Sequence, residues 1–143
     1  MAKRSSTSPV TLDIAILILR VGISLLMLTH GYSKLQKIVA GDLSFGDPLG
    51  LGEGLSLYLT VFAEFFCSIL LIFGFLTKPA SVVLMFTMAV AAFIVHGNDG
   101  LAKQEKALLF LISYITLFLT GPGKFSFDQL WIGKLVRKRF KRR

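Results

Sequence analysis

Four apolar runs, at residues 12–29, 55–76, 80–95 and 107–119, take up most of this chain. A bilayer core requires ~20 apolar residues of an α-helix. The first two runs meet that length; the last two reach it with flanking residues such as His96 and Thr120. Of the 143 residues, 17% are charged, and the mean hydropathy is +0.71. Soluble domains carry about 25% charged residues. So apolar a chain is not a disordered one, and a globule this small has too little interior to hide that surface from water. The reading is an all-α integral membrane protein. It comprises a cytoplasmic N-terminus (residues 1–11), a four-helix transmembrane bundle (12–123) and a C-terminal amphipathic basic helix in the tail (124–143).

Lysine and arginine set the orientation. With both ends inside, the inner side holds Lys3, Arg4, Lys78, Lys124 and the tail's Lys134, Arg137, Lys138, Arg139, Lys141, Arg142 and Arg143, 11 in all. The outer loops, residues 32–54 and 97–106, hold Lys34, Lys37, Lys103 and Lys106, which is 4. Both termini are therefore expected in the cytoplasm of a bacterial-type inner membrane. Arg20 interrupts the first run and no small-residue cleavage site follows it, so the run reads as a retained helix. The basic tail after a membrane segment reads as an anchor at anionic lipid headgroups. Nucleic acid is not expected as a partner.

Ionisable residues inside spans are expensive and mark candidate sites. Arg20 and Glu64 lie at similar depth when the spans are drawn as above, so they are expected to pair across the first two helices. His30, His96, Glu105 and Asp99 gather at the outer boundary. Small and polar stripes are expected to face the interior: Ser81, Met85, Ala89, Ala92 and His96 on the third helix, and Ser113, Thr116 and Thr120 on the fourth. His30, His96 and Glu105 are ligand types a metal would accept, but their spacing forms no recognised motif, and no metal is assigned. The single cysteine, Cys67, excludes an intramolecular disulfide or a Cys-x-x-Cys relay.

These pieces, in order, resemble the DoxX family of small four-helix membrane proteins. The likeness rests on LRVGISLLMLTHGYSKL from Leu19, the mid-helix glutamate and Gly-x-Leu-Thr-Lys turn of FAEFFCSILLIFGFLTKPAS, then FIVHG, and the final GPGKFSFD. The family pattern falls on Arg20, His30, Gly31, Lys34, Glu64, Gly74, His96, Glu105, Gly121 and Gly123. Some family members are subunits of a thiosulfate:quinone oxidoreductase, which implies a quinone-interacting role here. In that role Arg20, Glu64, His30, His96 and Glu105 are the catalytic candidates. Arg20, Thr60, Glu64, Ser68 and Met85 are the candidate quinone pocket. A non-catalytic scaffold or assembly factor and a small proton-coupled exporter are the alternatives. A protein partner or a second copy of the chain is expected in either of the first two cases.

The topology has a direct test. In a Cys67-free background, single cysteines at Asp47 and Asn98 should react with an impermeant reagent added outside. Reaction from outside at Ser81 or Lys141 contradicts it.

Overall fold

The computed structural model describes residues 9–131 and residue 134. Four helices run back and forth, with no strand among the described residues: α1 (Pro9–Val39), α2 (Glu53–Phe73), α3 (Thr77–Val95) and α4 (Leu101–Thr120). The first three are long and apolar enough to cross a membrane. α4 has 20 residues, but Lys103, Glu105 and Lys106 occupy its first two turns. The apolar runs close α1 too early and open α4 too late by several residues. α1 runs ten residues past Thr29, and α4 begins six residues before Ala107. Polar residues end an apolar run without ending a helix, because Ser, Lys and Gln at exposed positions cost a helix little. The basic tail expected as an amphipathic helix lies, beyond residue 131 and apart from residue 134, outside the described residues.

The bundle is polar along a face that hydropathy would assign to the core. On α1, Asp13, Ile16, Arg20, Ser24, Met27, Gly31 and Lys34 recur at alternating three- and four-residue spacing and turn inward. Several of its large apolar side chains turn outward: Ile18, Leu25 and Leu26 are exposed. In a bilayer, lipid solvates those side chains, and small or hydrogen-bonding residues hold the helices together. Met27, Ala63, Cys67, Leu71, Leu84, Met88, Phe110, Tyr114 and Leu117 fill the centre. The expected polar stripe on α4 faces the other way. Thr116 and Thr120 are exposed, and Ser113, Thr116 and Thr120 each donate to the carbonyl four residues back in their own helix.

Two glycines set the antiparallel register of α1 on α2. A Cβ on Gly31 would stand 2.5 Å from the Phe65 nitrogen and 2.6 Å from the Glu64 carbonyl carbon. A Cβ on Gly74 would stand 2.6 Å from the Ser126 Cβ and 2.9 Å from the Arg20 guanidinium carbon. Gly31 is therefore level with Glu64, and Arg20 is level with Gly74. The expected Arg20–Glu64 pair does not form. The two lie at opposite ends of the bundle, because the eleven residues from Arg20 to Gly31 span about 16 Å of helix.

Arg20 is 1% exposed and closes the end of the bundle away from Glu64 instead. Its guanidinium donates to the carbonyl of Pro122 and, at 2.7 Å, to that of Phe125. The segment so held bonds back to the bundle at several points. Asp128 accepts from the backbone N–H groups of Leu76 and Thr77, both at 2.9 Å, and so caps α3 from a distant part of the chain. Leu76 has a φ of 50°, a strained value for a residue with a Cβ, and Asp128 helps hold it there. Asp13 accepts from the Lys124 N–H at 3.0 Å. The start of α1 and the segment after α4 thus lie at one end of the molecule.

Replacing Arg20 should be severe. Arg20→Ala strands two carbonyls at about 1–3 kcal/mol each, and Arg20→Lys should rescue little, since one ammonium lacks the planar fork that reaches both. Asp128→Ala should cost about 0.5–2 kcal/mol through the lost cap. Thermal unfolding in detergent checks both, and an Arg20→Lys protein that melts with the wild type contradicts the assignment.

Candidate functional site

At the end opposite Arg20, α2 and α3 each widen into a π-helical turn, Phe62–Cys67 and Ala91–Val95. Such turns shift side chains out of α-helical register and recur at functional sites. The first carries Glu64, which is 4% exposed. The second leads into His96, whose N–H donates to the Ala91 carbonyl at 3.0 Å.

The partner of Glu64 is Lys34, whose ammonium donates to its Oε2. Gly31 makes this possible. With no Cβ between the helices, α1 approaches the π turn closely enough for Lys34, one turn further along, to reach the carboxylate. The Lys34 side chain remains 24% exposed, while that of Glu64 is 6% exposed. The pair is open on its lysine side only.

Two cavities meet at this pair. One, of about 440 Å³, is the more polar of the two; it lies between α1, α3 and α4 and is lined by His30, Lys34, Glu64, His96, Lys103 and Lys106 above Met27, Met88 and Phe110. The other, of about 540 Å³, is chiefly apolar; Leu59, Phe62, Val83, Phe86 and Val90 wall it, and Phe45, Pro48, Leu49 and Leu51 of the outer loop cover it. Lys34, Glu64, Ala91 and His96 line both.

The surroundings hold these groups in place. His96 Nδ1 and an Asp99 carboxylate oxygen are 2.8 Å apart, Lys103 stands 3.6 Å from the other oxygen, and Gln104 donates to the His96 carbonyl at 2.7 Å. The bonded imidazole holds the Asp99 carboxyl below the ordinary carboxylate range. In the outer loop, Asp47 accepts from the N–H groups of Gly52 at 2.9 Å and Leu51 at 2.8 Å and from the Ser56 hydroxyl at 2.9 Å. Those bonds, the Gly52 one foremost, hold its carboxyl low as well. His30 meets Phe110 edge to face, with ring centroids 6.0 Å apart.

Of the residues expected to act, Glu64, His30 and His96 come together here, and Thr60 lines the apolar cavity. Arg20 is at the far end, Ser68 and Met85 line neither cavity, and Glu105 is exposed and lines neither. No group of three potential metal ligands assembles among the described residues. Sequence reasoning missed Lys34, Lys103, Lys106 and the loop roof as parts of the site. Lys34 was legible in principle: it continues the inward stripe of Arg20, Ser24, Met27 and Gly31 once α1 is carried past His30. The roof was not, because an irregular loop has no period to read.

Comparison with known proteins identifies a family and a relative. The family model described as DoxX matches residues 15–97. The chain is 28% identical over 124 residues to a protein named "Inner membrane protein YqjF" of Escherichia coli (strain K12), covering 82% of this chain and 92% of that one. No solved structure matches.

The close approach at Gly31 gives a prediction. Gly31→Ala forces α1 and α2 apart and should lower stability by about 1–3 kcal/mol, the usual cost of overpacking. Lys34→Ala leaves a buried carboxylate alone and should also destabilise, whereas adding Glu64→Gln should recover most of that loss. A thermal double-mutant cycle measures the coupling, and additive effects would show the two side chains to be independent.

Proposed function

Because the chain belongs to the DoxX family, we propose that it serves in an inner membrane as a quinone-interacting subunit of an oxidoreductase complex. The observation that carries this reading is the ion pair Lys34–Glu64 standing as the common wall of an apolar and a polar cavity. A ligand that fits both has a long apolar body and a small polar head, and a few convergent polar groups would fix its orientation. A quinone is such a ligand, and it supplies two-electron, two-proton chemistry that side chains alone cannot.

Each residue has a task in this reading. Leu59, Phe62, Val83 and Phe86 accept the isoprenoid body, and the loop residues Phe45 and Leu49 keep water from it. Lys34 donates a hydrogen bond to a carbonyl oxygen of the head. His96, anchored by Asp99, holds or moves a proton at the second oxygen. Glu64 holds Lys34 in position and can take up a proton when that lysine turns away. Electrons enter from the redox cofactor of a partner subunit.

The proposal includes the membrane arrangement. α4 completes a four-span bundle, its apolar part from residue 107 to 120 being about 21 Å long, with Lys103 and Lys106 reaching to the outer headgroups. The two chain ends emerge together at the end held by Arg20, Asp13 and Asp128, as an even number of spans requires. The excess of basic residues makes that end cytoplasmic, and the basic tail lies on anionic lipid there. The name of the Escherichia coli relative supports the inner membrane as the location.

A scaffold role is the competing class, and Glu64→Gln separates the two. The change keeps the volume and removes the charge. Quinone-dependent turnover of the complex purified with this chain should fall at least tenfold while the complex stays assembled. Turnover and assembly falling together, or neither falling, would favour the scaffold.

A further inference from the structure

The polar cavity has a charge balance that a quinone head does not use. Five basic side chains line it (His30, Lys34, His96, Lys103 and Lys106) against one carboxylate, Glu64, which is taken by Lys34. Asp99 stands behind His96 and Lys103 rather than on the cavity wall. Lys106 has no carboxylate partner among the described residues. It lines the same cavity wall as His30. The one nearby acid on its helix, Glu105, turns to the outside. An ammonium and an imidazole that line one cavity with no free carboxylate between them leave their N–H donors without an acceptor, and the arrangement becomes favourable when an anion sits there.

We propose that this cavity, between α1, α3 and α4, is a binding site for the anionic oxygens of a small oxyanion or anionic headgroup, with His30 and Lys106 as its direct partners. Lys103 stands at the rim and adds charge that draws the anion in. The Lys34–Glu64 pair is the floor. It separates the anion from the apolar cavity and contributes no net charge. The site does not depend on the quinone reading, since its residues, apart from the shared wall of Lys34, Glu64 and His96, belong to the polar side only. An anion could arrive from the outer aqueous phase or on a lipid, and the chemistry of recognition is the same in both cases.

Calorimetry on the full chain in dodecyl maltoside, titrated with sulfate at low ionic strength, tests the site. Sulfate keeps its charge across neutral pH, so changes in binding report on the protein. One saturable site is expected, weakened at least tenfold by Lys106→Gln or His30→Gln and several-fold by Lys103→Gln. Lys37→Gln, in a residue that contacts Ser44 and Asp42 and lines neither cavity, should leave it unchanged. Glu64→Gln should tighten sulfate binding, because it releases Lys34, even as it removes quinone-dependent turnover; the two readings can therefore fail separately. Lys103→Gln, at an exposed position, keeps the test open should a change deeper in the cavity prevent folding. Repeating the titration in nanodiscs identifies the source. Competition by phosphatidylglycerol but not phosphatidylcholine assigns the anion to a lipid headgroup, and equal sulfate binding in both assigns it to a free solute. No saturable binding in any of these settings, or equal loss with Lys37→Gln and Lys106→Gln, overturns the proposal.

Discussion

The guanidinium of Arg20, buried in an apolar helix and bound to two backbone carbonyls, organises one half of this molecule. A charge in the membrane interior must find partners inside the protein. Here they are the carbonyls of Pro122 and Phe125 rather than a carboxylate. This choice draws the segment after α4 across the bundle. There Asp128 caps α3, Asp13 takes the Lys124 N–H, and Gly74 fits beneath the guanidinium where any side chain would collide. All four helices are thus tied at one end by contacts that radiate from a single cation. Since the bundle is closed there, an opening can exist only at the other end.

The outer end is built on close backbone approach. Gly31 brings α1 against the π turn of α2, which sets the height of Glu64 and allows Lys34 to meet it. The π turn of α3 places His96 at the same level, across the cavity they share. Small residues and widened turns at this height keep the helices from filling the space between them, while lower down Leu71, Leu84, Tyr114 and Leu117 fill it completely. The cavities are therefore a property of the backbone, and side-chain substitution alone would not close them.

The membrane class, the helical fold and the placing of His30 and His96 at one boundary were legible in the sequence, because hydropathy and charge report directly on a bilayer environment; that Glu64 joins them was not. Nor was the pairing of Arg20. Depth was counted from the ends of the apolar runs, and α1 does not end with its run. An error of ten residues at that helix end is about 15 Å of rise, enough to hide Lys34 in a supposed loop and leave Glu64 with the wrong partner. The polar stripe of α4 misled for a different reason. Ser and Thr in an apolar helix satisfy themselves on the preceding turn and so carry no information about which face is inside. Loop residues such as Phe45 and Leu49 were illegible because they roof a cavity whose position depends on the whole bundle.

The two buried cations differ in kind, and the difference follows their positions. Arginine offers a planar fork that holds two acceptors in fixed directions, and it stays charged in any setting a protein provides. That suits Arg20, enclosed at 1% exposure with both acceptors on one rigid segment. Lysine is a point charge on a flexible stem, and it can leave one partner for another. Lys34 is one-quarter exposed and faces two cavities, while its partner Glu64 is almost wholly enclosed. A movable cation beside a fixed carboxylate can release one hydrogen bond to an incoming polar group without dismantling the helix contact beneath it, because that contact is made by the backbone at Gly31. Exchanging the two residue types would give an inner end held by one bond instead of two and an outer end unable to let go. The chain places its rigid cation where the bundle is closed and its flexible one where the two cavities meet.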